Sequence, residues 1–145
     1  RLVTCRERAW RAIRALGLDA EGFRHSLQAS KPNFGAVFGG AEPYPSQAMM
    51  ADDTLGAVVV LEAETGSGKT EAALWRFLHL FEQGKVDSLY FALPTRVAAS
   101  QAYARVCAVV ARAWPDGGPA VLRALSGYAA VDGQTPQALP GFKVL

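Results

Sequence analysis

The chain has 145 residues, enough for a single hydrophobic core; 50% of them are hydrophobic and 19% charged. That balance excludes the charge-rich, aromatic-poor composition of a disordered chain, and no run approaches the roughly 18 apolar residues of a membrane span. The formal net charge of +2 singles out no partner, although Arg1, Arg6, Arg8, Arg11, Arg14, Arg24 and Lys31 crowd the amino-terminal stretch against Glu7, Asp19 and Glu21; such a stretch is either a phosphate contact or a solvated helix face.

In chain order, Ala9, Trp10, Ile13 and Leu16 recur at helical spacing between arginines, which predicts an amphipathic helix over about residues 3–16, ended by Gly17 and packed through Trp10. A loop-like stretch follows through Lys31-Pro32-Asn33, Phe38-Gly39-Gly40 and Pro43-Tyr44-Pro45, with Phe34 and Phe38 as hydrophobic anchors. Ser46 then caps a short helix through Met50. Ala57-Val58-Val59-Val60-Leu61 reads as a strand buried on both faces of a parallel sheet. From Thr70 to about Gln83, Ala73, Leu74, Phe77, Leu78 and Phe81 form one helical stripe, stopped by Gly84, with His79 at the surface. A second strand spans residues 88–93 up to Pro94, a second long helix runs from Val97 to Ala113, and a third strand covers Ala120 to Leu125. From Ser126 to Pro140 the chain is turn-rich. Strand alternating with helix is the pattern of an α/β domain with right-handed crossovers. Cys5 and Cys107, far apart and without neighbours at metal-ligand spacing, read as reduced thiols, Cys107 in the core, which fits a reducing cytoplasm.

Between the first strand and the helix after it stands Ala63-Glu64-Thr65-Gly66-Ser67-Gly68-Lys69-Thr70. It fits the phosphate-loop pattern of two glycines with four residues between them, followed by lysine and a hydroxyl residue, with Ala63 replacing the first glycine. The chemistry explains the spacing. Gly66 and Gly68 can take conformations closed to other residues, so successive backbone N–H groups converge on an anion. The following helix aims its positive end at the same point, Lys69 can reach the outer phosphates, and the Thr70 hydroxyl can ligate Mg²⁺. Lys69 and Thr70 are thus the candidate catalytic groups, and residues 64–70 bind the nucleotide.

A phosphate loop alone does not separate kinases, secretion motors and helicases. At the end of the second strand, Pro94-Thr95-Arg96 puts a hydroxyl, a cation and free amides at a helix start, which is either a grip for one nucleic-acid phosphate or a proline-stopped strand with a threonine cap. The sequence from Ala63 to Leu74, followed by Ala92-Leu93-Pro94-Thr95-Arg96 and the helix from Val97 to Val106, resembles motifs I and Ia of superfamily-two helicases, and more specifically the CRISPR-associated helicase–nuclease family of type I systems. Tyr44-Pro45-Ser46-Gln47 is similar to that family's adenine-reading motif, in which Gln47 would pair with the base edge. The resemblance covers roughly residues 34–127. At Ser126-Gly127 the family often has histidine-glycine, so any role of that histidine does not transfer.

The resemblance implies a partial RecA-like P-loop domain: a parallel sheet with flanking helices, preceded by a helical and loop connector. Residues 1–33 would be that connector to a nuclease domain, and residues 34–145 the amino-terminal part of the first motor domain, cut before its acidic Walker B box. It implies ATP and Mg²⁺ as cofactors and single-stranded DNA held by Pro94, Thr95 and Arg96. The parent would be recruited by an RNA-guided CRISPR surveillance complex and coupled to nuclease destruction of invading DNA. Both chain ends look cut, and such a piece alone is expected not to hydrolyse ATP. Two alternatives stand beside this: another phosphate-loop NTPase (a different helicase, a secretion motor or a nucleotide kinase), or a binding module without turnover.

Overall fold

The structure is a computed structural model that describes residues 2–16, 19–125 and 128–131. Six α-helices lead the chain order among these residues: α1 (Leu2–Ala15), α2 (Ala20–Ser30), α3 (Phe34–Phe38), α4 (Pro45–Ala48), α5 (Lys69–Glu82) and α6 (Arg96–Ala113). A short 3-10 turn, Met49–Ala51, follows α4, and the strands β1 (Leu122–Leu125) and β2 (Tyr128–Val131) come last.

The core forms where α2, α3, α5 and α6 meet. Leu27, Val37, Leu74, Leu78, Phe81, Val109, Ala113 and Trp114 are its buried members. On α5 the stripe expected from the sequence is largely present, with Leu74, Leu78 and Phe81 buried, but the small residue turned inward is Ala72 while Ala73 is exposed. Phe34, Phe38 and Trp75 pack as a tilted and edge-on aromatic group, with centroids 4.4 to 6.3 Å apart, so both phenylalanines anchor α3 as expected. Trp114 lies edge-on to Phe81 and donates its indole N–H to the Phe23 carbonyl at 2.8 Å, which pins the end of α6 to α2.

The loop-like stretch after residue 17 contains an eleven-residue helix, α2. Asp19 caps it by accepting from Gly22 N at 3.4 Å, and a Cβ on residue 22 would lie 3.2 Å from the same carboxylate, so the glycine leaves room for the cap. Burial of Leu27 and half-burial of Phe23, one turn apart, offset the glycine's low helix propensity. Arg24 then reaches across to α5. It donates to the Phe81 carbonyl at 2.7 Å and to the Val86 carbonyl at 3.3 Å, and its guanidinium lies 5.2 Å from the Phe81 ring centroid. The carboxyl end of α5 is therefore held by a side chain from α2.

Several other expectations need correction. The short helix near residue 46 exists, but Tyr44 is its N-cap, because Pro45 presets the first helical residue and the Gln47 side chain accepts from Tyr44 N at 2.8 Å. Trp10 does not pack inward; it is 42% exposed on α1. His79 is not simply at the surface: its side chain is 18% exposed, and Asp53 accepts from its ring at 3.0 Å. Cys107 is half-buried rather than core. Gly17 and most of the turn-rich stretch from Ser126 to Pro140 lie outside the described residues, although β2 falls within that stretch.

The expected sheet differs most. Residues 57–61 and 88–93 belong to no ladder among the described residues, with Val58 85%, Val60 80% and Tyr90 91% exposed. β-branched residues favour a strand through what packs beside them, so a sequence preference without a paired neighbour leaves the segment uncovered. The expected third strand is present as β1, but it pairs antiparallel with β2, Leu122 opposite Val131 and Leu125 opposite Tyr128. Among the described residues there is no parallel pairing. No described helix is long and apolar enough to cross a membrane.

Candidate nucleotide-binding site

The segment between residue 61 and α5 is a tight turn. Ser67 N donates to the Glu64 carbonyl at 3.2 Å, and Gly66 and Gly68 both take positive φ, 84° and 79°. Left-handed backbone at alternate positions is the geometry in which neighbouring amides turn to one side. Gly68 is also the N-cap of α5 and offers no side chain to cap it. The first-turn N–H groups of α5 consequently have no side-chain acceptor and lie at the positive end of a fourteen-residue helix.

Lys69, the first residue of α5, folds back over the turn. Its ammonium donates to the carbonyls of Ala63 and Glu64, both at 2.6 Å. These neutral acceptors hold the loop and its cation together, and an anion placed there would compete for the same protons. The Ser67 hydroxyl is shielded from solvent and has no hydrogen-bond partner in the structure. An orphaned buried hydroxyl costs free energy unless something binds it. Together with the uncapped helix start and the lysine, it makes the residues present a fit for a phosphate group. Thr70, the second residue of α5, is half-buried behind Lys69, while Glu64 and Thr65 are exposed on the turn.

Gln47 is brought to this loop across 21 positions of sequence. It is 4% exposed, and its Nε2 donates to the Gly68 carbonyl at 3.2 Å while Oε1 accepts from Tyr44 N. A Cβ on residue 68 would stand 2.1 Å from that nitrogen, so glycine is demanded twice, by φ and by the approach of Gln47. In this arrangement the amide is engaged with protein on both its atoms.

The other sequence-predicted group lies at the start of α6. Thr95 caps that helix, Oγ1 accepting from Ala98 N at 3.1 Å, and Pro94 and Arg96 are exposed beside it. No hydrogen bond or ion pair joins residues 94–96 to the 63–70 turn among the described residues. The two helices are joined further along, where Arg105 of α6 lies 3.6 Å from Glu71 in the first turn of α5. Sequence reasoning missed that pair: both positions lie in the motif-like segments, but nothing in either segment says that the two helices meet there. It also missed the Asp53 cluster at the far end of α5, where Gln83 at 2.7 Å, His79 at 3.0 Å and Lys85 at 3.3 Å converge on one carboxylate oxygen. Those hydrogen bonds, Gln83 foremost, hold the Asp53 carboxyl well below its ordinary value of 3.8, at about 2. No group of three or more potential metal-ligating side chains occurs among the described residues.

An uncapped helix behind a glycine turn with a lysine folded across it defines the phosphate-loop class, and comparison with known proteins narrows it. The DEAD/DEAH box helicase family matches residues 44–129, more than half of the chain, and the chain belongs to that family. Its motor domain has a RecA-like fold, and its members use ATP with a divalent metal, typically Mg²⁺. The chain is also 47% identical over 49 residues to the CRISPR-associated endonuclease/helicase Cas3 of Escherichia coli (strain K12), a stretch that is 34% of this chain and 6% of that protein. No solved structure matches the chain.

Proposed function

We propose that the chain is the ATP-binding, amino-terminal part of the first motor domain of a helicase that translocates on single-stranded DNA. The carrying observation is the 66–70 turn, with two left-handed glycines, an uncapped α5 and the Lys69 ammonium poised over them. In this reading residues 64–70 hold the triphosphate. Lys69 exchanges the carbonyls of Ala63 and Glu64 for phosphate oxygens, Ser67 gains its missing partner, and Thr70 binds Mg²⁺. MgATP supplies the phosphoryl group whose transfer to water drives movement; the chain's part is to orient it and offset its charge.

Gln47 selects adenine by giving up its bond to the Gly68 carbonyl, which would tie base recognition to the phosphate turn. Pro94, Thr95 and Arg96 hold a backbone phosphate of the strand, the threonine through the helix start it caps and the arginine through charge. Residues 1–33 connect to a preceding nuclease domain, residues 34–145 begin the motor, and the parent degrades invading DNA in the cytoplasm when recruited by an RNA-guided surveillance complex. The support for these finer assignments is the motif series in this sequence and the partial identity to a protein named as both endonuclease and helicase.

Hydrolysis by the parent protein, measured with and without a single-stranded oligonucleotide, tests the reading. Stimulation by the strand is expected, and Arg96→Ala should weaken strand affinity alike for all sequences while reducing its salt dependence by about one phosphate contact. Hydrolysis indifferent to nucleic acid would contradict a translocase and favour another phosphate-loop enzyme.

A further inference from the structure

Positive charge is unevenly placed along this chain. Residues 1–16 hold five arginines and one glutamate, whereas the remainder holds ten basic and twelve acidic residues. The surplus therefore resides in the amino-terminal segment, most of which is α1. Arg6, Arg8, Arg11 and Arg14 are all exposed on that helix. Arg14 lies 3.4 Å from Asp19 and stays 71% exposed, and among the described residues no carboxylate pairs with Arg6, Arg8 or Arg11. No described α1 side chain is buried. Packing thus gives Arg6, Arg8 and Arg11 no role, and the repulsion among the arginines carries a cost.

Trp10 adds a second feature. It lies one helical turn from Arg6 on one side and from Arg14 on the other, so the three share a face, and the indole is 42% exposed. An exposed aromatic flanked by cations suits an unpaired base above the indole with its phosphates on the guanidiniums. Arg8 and Arg11 extend the charge around the helix. Away from the arginines α1 carries Cys5, Ala9 and Ala12 beside Ile13 and, just past its end, Leu16, an apolar side of mixed size, so attraction to an anionic membrane is the competing outcome that the vesicle arm of the test reads.

We propose that α1 is a second contact for single-stranded nucleic acid, separate from the start of α6, with the arginines binding the phosphate backbone and Trp10 stacking on a base. The inference rests on the helicase reading for its choice of partner. Contact through the backbone and one aromatic face gives affinity without sequence preference.

Fluorescence anisotropy of a labelled twenty-nucleotide oligo(dT), titrated with the 145-residue chain across a salt series, tests this. Arg8→Gln with Arg11→Gln should weaken binding and lower the logarithmic salt slope by about 1.4, the value for two phosphate contacts on a single strand. Trp10→Ala should weaken binding by roughly fivefold to a hundredfold with the slope unchanged, and should leave binding to a duplex of equal length unaltered. Gln is a good helix former and these side chains are exposed, so helical circular dichroism should match wild type. Wild-type affinity in both variants would overturn the proposal. So would capture of phosphatidylserine vesicles through these residues with no affinity for the oligonucleotide. MgATP binding, measured on the same α1 variants, should match wild type, because no α1 residue belongs to the 64–70 turn. Failure of the α1 variants to respond, with MgATP binding preserved, would therefore remove this contact and leave the nucleotide reading standing.

Discussion

Gly68 shows how a single position can be constrained from two directions. Its φ of 79° suits only glycine, and the buried Gln47 amide occupies the space where a side chain would start. Gly66 has a similar φ of 84° but open space around its Cα. Gly68→Ala should therefore cost about 1–3 kcal/mol, and measurably more than Gly66→Ala, in chemical denaturation; equal losses would mean that Gln47 does not press on the turn. Asp53 offers a test by pH. Its folded-state value, about 2, lies below the ordinary 3.8, so its contribution is present above pH 3.8 and is lost as pH falls toward 2. The stability difference between wild type and Asp53→Asn should shrink over that interval, and a difference constant from pH 5 to pH 2 would contradict the cluster. Gly66, Gly68 and Lys69 were legible in the sequence because their spacing encodes a local turn. Arg105 beside Glu71, and Asp53 beside His79, were not, because each depends on how distant segments meet.

At the scale of elements, α5 is the organising helix. Its start forms the phosphate turn, its buried stripe anchors the core, and its end is held by Arg24 from α2. Arg76 near its middle donates to the carbonyls of Met50 at 3.0 Å and Asp52 at 2.8 Å, fixing the segment that leads from Gln47 toward the turn. Arg24 adds a charged donor to the Phe81 carbonyl, which also accepts from Gly84 N at 3.0 Å, and both arginines tie loop carbonyls, those of Val86 and Met50, to the helices. Arg24→Ala should lower stability by about 1–3 kcal/mol, read as a shift in denaturant midpoint with unchanged slope. A neutral result would show that Arg24 does not hold the end of α5. The helices α5 and α6 could be read from periodicity and from their stops. α2 could not, since Gly22 resembles punctuation until Asp19 is recognised as its cap and Phe23 and Leu27 as its buried side.

For the whole molecule, helices supply the core, while the two segments expected as central strands run exposed. A strand's identity depends on what pairs with it, so periodicity and β-branching could mark residues 57–61 and 88–93 but not their neighbours. The turn does not share that dependence. Its hydrogen bonds, its two left-handed glycines and its helix start all lie within residues 63–72, with Gln47 as its buried brace. Calorimetric titration of the 145-residue chain with MgATP, beside Lys69→Ala, probes that turn most directly. Saturable binding by the wild type, at least tenfold weaker in the variant at equal helical content, is the expected result, since a full positive charge beside the phosphates is lost. Equal affinity in the two proteins, or no binding by the wild type, would contradict the assignment of residues 64–70 as the triphosphate cradle.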